Sequence, residues 1–245
     1  VVIYRLPEGK SIIIPSSHCP YCQTPLKWYH NIPVISYVFL KGKCAFCGHK
    51  ISSKYPLVEF LTAILILLTY YKFSPFISWK AFVWALSFVL FLIPIAFIDF
   101  EKKIIPDSLS LGLLFLGWLF ALIKLNPLFD FKHSVISGLS GIGLLFLINE
   151  LYYLVSHRDG MGMGDFKLMG AIGAYLGYES FYSVILSASV IGIAVFFCYF
   201  LYGKLFKKDI KTPEELMKWE IPFGPFLCLG ALLYLYDFFR FVPFN

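Results

Sequence analysis

Long apolar runs without charge constrain this chain more than any other feature. Ala81 to Ile98 and Ser180 to Gly203 contain no Asp, Glu, Lys or Arg. A hydrocarbon core of about 30 Å takes roughly 20 apolar residues of helix to cross, and in lipid the backbone must satisfy its own hydrogen bonds. Seven hydrophobic segments are read along the chain, at 55–71, 80–98, 108–123, 134–156, 164–178, 180–203 and 222–241. The fifth is short, rich in glycine and carries Lys167, so a short or re-entrant helix is expected there. Pro94, inside the second, predicts a kink. With 59% hydrophobic and only 15% charged residues and a mean hydropathy of +0.75, a soluble globular domain is excluded. The expected fold is an all-α polytopic membrane bundle surrounded by lipid.

The net charge of +6 is explained by its placement rather than by nucleic acid. Residues before 55 hold Arg5, Lys10, Lys27, Lys41, Lys43, Lys50 and Lys54. If that segment is cytoplasmic and the spans alternate, Lys102, Lys103, Arg158, Lys204, Lys207, Lys208, Lys211 and Lys218 join the same side. Lys72, Lys80, Lys124, Lys132 and Arg240 fall on the other, and Lys167 lies at the inner end of its segment. Basic residues concentrate on cytoplasmic loops, and this asymmetry sets the orientation.

Residues 1–54 differ in kind: they carry Pro, Lys, His and four of the six cysteines, with no sustained helical period. They are read as a small cytoplasmic domain, and 55–245 as the membrane domain. Cys19-x-x-Cys22 and Cys44-x-x-Cys47 form two knuckles 21 residues apart, the second followed by turn-compatible Gly48. Four thiolates in this pattern suit a tetrahedral zinc ion, and a reducing cytoplasm disfavours the alternative of two disulfides. Four protein ligands leave no open position, so the zinc is expected to be structural. His18, His30 and His49 are near enough in sequence to replace a thiolate or to sit behind one. Cys198 and Cys228 fall in spans and read as small buried hydrophobes.

Ionisable groups at membrane depth are costly and mark function. The candidates are Glu59, Asp99, Glu150, Asp165 and Asp237. Asp99 ends an inward-running span and Asp165 starts an outward-running one, so both reach the cytoplasmic interface. Two carboxylates sharing one proton can act as base on a water and acid on a leaving amine, which hydrolyses a peptide without metal or covalent nucleophile. Asp165 lies in Gly160-Met161-Gly162-Met163-Gly164-Asp165-Phe166-Lys167. Gly162 and Gly164 are expected to admit backbone conformations closed to other residues and to leave room for a substrate strand. Gly170, Gly173 and Gly177 give a small-residue face, expected to pack the Asp165 helix against the Asp99 helix. Lys167 is either a charge that tunes the pair or an interfacial anchor. Asp107, between Pro106 and Ser108, reads as a helix N-cap. Glu150 is expected to snorkel or pair with Arg158, and Asp237 lies on the far side of the membrane.

Several motifs in order along the chain resemble the bacterial type IV prepilin peptidases, which are intramembrane aspartyl proteases. They are Pro15-Ser16-Ser17-His18-Cys19-Pro20-Tyr21-Cys22, Trp28-Tyr29-His30-Asn31-Ile32-Pro33, Cys44-x-x-Cys47-Gly48, Tyr55-Pro56-Leu57-Val58-Glu59, Ile98-Asp99 with Pro106-Asp107, Gly162-x-Gly164-Asp165-Phe166-Lys167-Leu168, and Ile221-Pro222-Phe223-Gly224-Pro225. The resemblance implies eight spans, with Val1–Pro7 (residues 1–4 above all) the exit of a first span whose start is absent. It implies cleavage of the basic leader of prepilins or pseudopilins at the cytoplasmic face of the inner membrane by Asp99 and Asp165. It also implies methylation of the new N-terminus with S-adenosylmethionine, to which Glu59 is linked. No Rossmann-type glycine fingerprint is visible for that donor. A peptidase without methyl transfer is one alternative. A proton-coupled transporter is another, but it calls for carboxylates at the midplane and an internal repeat, and neither is found.

Overall fold

The structure, a computed structural model, describes residues 1–158, 160–205 and 222–237. Most of the basic stretch 204–221, Ile221 of the last motif and the end of the seventh segment lie outside the described residues. Among those described there is no β-strand, only two isolated bridges, and the architecture is helical. Seven principal helices are α1 (Lys54–Phe73), α2 (Pro75–Lys102), α3 (Asp107–Leu122), α4 (Phe131–Ser156), α5 (Met163–Leu176), α6 (Phe181–Leu205) and α7 (Gly224–Leu235). Four helical stretches are long and apolar enough to cross a membrane: α1, α2, α4 and Tyr178–Leu201. The chain divides into two compact units, Val1–Phe82 and Val83–Asn245.

In the first unit the two knuckles are built alike. The N–H of Cys19 donates to Thr24 O and that of Cys44 to His49 O. The fourth residue after each leading cysteine, Gln23 or Gly48, turns at φ 57° and 69°. Short turns at Trp28–Asn31 and Ile35–Phe39 follow the first knuckle, and the unit continues through α1 to the start of α2.

In the second unit α5 is the centre. From Asp165 to Leu176 every residue except Lys167 is buried, and the helix packs against α3, α4 and α7. Its 14 residues span about 21 Å, less than a hydrocarbon core. The glycine face of α5 meets α4, not the Asp99 helix. A Cβ on Gly170 would stand 3.0 Å from Gly138 O, and one on Gly173 would press on Ser137 O. Backbones approach this closely only through small residues, and α4 supplies them as Ser134, Ser137, Gly138 and Gly141. Ser134 Oγ donates to Ala174 O at 2.7 Å, and the Tyr178 N–H donates to Ser137 Oγ at 3.2 Å. Large side chains make the contact with α2 instead, where Tyr175 stacks on Phe88 with ring centroids 4.8 Å apart and shares a 3.1 Å hydrogen bond with Ser87.

Helical dihedrals run through Pro94, and the break in α2 falls at Ser78 (φ −152°, ψ 96°). Asp130 caps α4 by accepting the His133 N–H at 3.1 Å. The helix ends at His157 in the left-handed region, and Gly177 at φ 81° ends α5.

Candidate active site

Asp99, three residues before the end of α2, and Asp165, in the first turn of α5, are 5% and 8% exposed. Gly164, next to Asp165 in the chain, and Gly224, against Asp99, both pack on Ile105, which brings the two acids to one end of the unit. Asp99 Oδ2 and Asp165 Oδ1 are each buried with no hydrogen-bond partner in the protein. Gly224, at the start of α7, stands against Asp99, and Gly162, the N-cap of α5, stands beside Asp165. Three helix ends therefore converge on one pair of acids, and each acid keeps an oxygen free for a third party. A water or a peptide group is the natural occupant.

The glycines serve this site through space rather than through unusual dihedrals. Gly162 has φ −78°, and neither it nor Gly164 has a positive φ. A Cβ at Gly164 would stand 2.9 Å from Ile105 Cβ, and one at Gly224 would stand 2.5 Å from Asp99 Oδ2 and 2.9 Å from Ile105 Cδ1. Ile105 thus sits in a slot formed by two glycines at the edge of the acid pair. The position facing Gly162 is open, with only Asp165 Oδ2 near it, at 3.8 Å.

Lys167 turns away from the acids and forms a 2.6 Å ion pair with Asp107. Asp107 is the first residue of α3, whose N-cap is Pro106 without a side-chain cap, so the capping role expected for Asp107 gives way to this pair. Asn149, not anticipated from the sequence, lies buried on α4, and its Oδ1 accepts the N–H groups of Gly160 (2.9 Å) and Met161 (3.1 Å). It fixes the approach to Asp165. A polar amide beside Glu150 near the end of an apolar helix was the available signal. Glu150 itself is exposed on α4, and Asp237 follows the far end of α7.

In the first unit the thiols of Cys19, Cys22, Cys44 and Cys47 all lie within 4.8 Å of one another, and Cys19 Sγ and Cys47 Sγ are 3.9 Å apart. Four sulfurs at about 2.3 Å from a tetrahedral ion would be about 3.8 Å apart, so the set fits a zinc ion, and all four thiols are free. Hydrogen bonds from Thr24, side chain then backbone, hold the Cys22 thiol down to about 6. The N–H groups of Cys47 and then Phe46 lower Cys44. Against the pull of the His49 N–H, burial and the neighbouring thiols push Cys47 up to about 11. The histidines are engaged elsewhere: His18 Nδ1 bonds Ser16 O at 2.9 Å, His49 stacks on Tyr21, and His30 packs edge-on to Phe46. Glu59 lies in this unit on α1, where its Oε2 accepts the Val34 N–H at 2.7 Å.

Residues 1–73 match the bacterial peptidase A24 N-terminal domain, and residues 86–197 match the type IV leader peptidase family. The prepilin leader peptidase/N-methyltransferase of Dichelobacter nodosus is 37% identical over 227 residues, covering 92% of this chain and 73% of that protein. The protein of the same name from Klebsiella pneumoniae is 37% identical over 196 residues, 77% of this chain and 83% of the relative. That of Aeromonas salmonicida (strain A449) is 35% identical over 229 residues, 93% and 73% of the two chains. No solved structure matches the chain.

Proposed function

The chain belongs to the type IV leader peptidase family, and on that footing we propose that it removes the basic leader of prepilins or pseudopilins with Asp99 and Asp165 as an aspartyl dyad. The observation that carries the mechanism is the buried pair of carboxylates at the ends of α2 and α5, each with an unpartnered oxygen. One acid in the ionised form takes a proton from water as the water attacks the scissile carbonyl. The other, protonated, gives its proton to the leaving amine. Neighbouring carboxylates share a single proton because both cannot ionise at close range. Gly162 and Gly224 stand against the carboxylates and supply no competing acid.

The distribution of basic residues supports a site at the cytoplasmic face of the bacterial inner membrane. A leader that stays in the cytoplasm while the pilin's apolar helix sits in lipid brings its scissile bond to that interface, already oriented by its own helix. Residues 1–54 are read as a cytoplasmic domain around a structural zinc held by Cys19, Cys22, Cys44 and Cys47. The relatives' names support a second activity, methylation of the newly freed amine with S-adenosylmethionine. Family membership sets the transporter reading aside, and a peptidase without methyl transfer is separated by assaying methyl incorporation.

The test compares wild-type protein with Asp99→Ala and Asp165→Ala in bilayers, on a prepilin with a basic leader. Both substitutions are expected to abolish cleavage while folding and zinc content persist. Undiminished cutting by either variant overturns the dyad.

A further inference from the structure

Val34 stands at φ 60°, ψ −47°, in a region that a β-branched residue occupies only when its surroundings impose it. The Ile35 N–H donates to Pro33 O at 2.5 Å, closing a three-residue γ-turn of the rare positive-φ kind. The constraint comes from α1, whose Glu59 accepts the Val34 N–H at 2.7 Å, a charge-assisted bond and among the stronger in proteins.

This turn directly follows the one-turn helix Trp28–Asn31. Its rings run edge to edge from Trp28, 79% exposed, through Tyr29 (centroids 5.6 Å) and His30 (4.4 Å) to Phe46 (5.4 Å), which sits between Cys44 and Cys47. His30 Nδ1 is buried without a hydrogen-bond partner. The aromatic segment is thus anchored at one end by the cysteine knuckle and at the other by Glu59. Exposed rings of this type accept a sulfonium cation on their faces and stack on a purine.

We propose that Glu59 is a positioning residue for methyl transfer: as a hydrogen-bond acceptor it holds the Pro33–Ile35 turn, which seats the Trp28–Asn31 segment, and it takes no part in the chemistry. The inference rests on the methyl-transfer reading above. It is tested with full-length Glu59→Gln, Glu59→Ala and Glu59→Ala/Val34→Gly. Methyl incorporation from S-adenosylmethionine is measured as kcat and KM across pH, with leader cleavage followed in the same preparations. Loss of one such bond is expected to lower kcat/KM for the donor by about tenfold in Glu59→Ala. Glu59→Gln, whose carboxamide oxygen still accepts, should stay within about threefold with an unchanged pH profile. Val34→Gly, free of the backbone strain, should recover most of the loss in the Ala background. Leader cleavage should be alike in all. The proposal is overturned if Glu59→Gln falls as far as Glu59→Ala, because then the charge itself is used, or if Glu59→Ala equals wild type. Should wild type cleave but never methylate, the methyl-transfer reading fails by itself. Trypsin nicking after Lys27 then decides the clamp: faster in Glu59→Ala alone supports it, and equal rates in all overturn it.

Discussion

Gly224 concentrates much of the site's geometry in one missing methyl group. Because a Cβ there would stand 2.5 Å from Asp99 Oδ2, Gly224→Ala must displace the carboxylate, α7 or Ile105. A displacement of about 1 Å at reacting groups costs up to roughly 100-fold in rate. The expected outcome is a 10- to 100-fold fall in leader cleavage, measured against Gly143→Ala, where nothing lies within 4 Å and no change is expected. Lys167 and Asp107 make a different case. Their side chains are 26% and 64% exposed, so the pair is worth about 1 kcal/mol or less. Lys167→Met, Asp107→Asn and the double variant should each keep cleavage within about threefold and couple by less than about 1 kcal/mol in a double-mutant cycle. A large loss confined to Lys167→Met would instead place the lysine in the chemistry. The motif around Asp165 was legible in the sequence, but the use of its glycines was not. Spacing marks where glycine stands, and only the packing of Ile105 shows that Gly164 is needed for room rather than for its dihedrals. Asn149 was missed for the same reason, since its partners, Gly160 and Met161, are brought to it by the turn between helices.

At the level of elements a helix, α1 through α7, falls on each of the seven apolar segments, because apolar runs leave the backbone little choice but helix, although only four helical stretches are long and apolar enough to cross a membrane. Edges moved where local chemistry decided them: the segment read at 80–98 extends to Pro75–Lys102, and α4 starts at the Asp130 cap. Which helices pair was less legible. The glycine face of α5 was expected to meet α2 and meets α4, since a small-residue stripe announces close packing without naming its partner. Gly173→Leu should therefore separate α4 from α5 and destabilise the second unit by about 1–3 kcal/mol or more, as overpacking does. Thermal unfolding in detergent measures this, and the knuckle's zinc content should not change with it. The cysteine knuckles were legible as a metal set because the spacing alone brings each pair together. One zinc per chain is expected by elemental analysis, falling sharply in Cys44→Ser. Metal should also be released as pH falls, because protons compete for the thiolates. Retention of zinc in Cys44→Ser at neutral pH would argue against the four-thiolate site.

Over the whole molecule, function depends on which end of the second unit faces the cytoplasm. Asn149 binds the segment leading into α5 at the end that carries Asp99 and Asp165, while Ser134 and Ser137 bind Ala174 and Tyr178 at the other. That opposite end is closed by His133, stacked between Phe129 and Tyr178 and 3.3 Å from Glu179 Oε1. The two ends are thus separated along α4 and α5. A 14-residue α5 cannot carry the acids from one surface to the other, so a reversed orientation would leave them facing a compartment where no basic leader is retained. On the proposed topology the charge asymmetry favours an Asp99 and Asp165 end that faces inside. Alkaline phosphatase, which matures only after export, should be inactive when fused after Ser156 and active when fused in the 123–130 connection. The opposite pattern would put the dyad outside and remove the leader-peptidase mechanism, however well the two carboxylates are placed. The expected pattern brings cleavage site, basic leader and acids to a single interface, where a substrate held by its own helix has only the scissile peptide left to position.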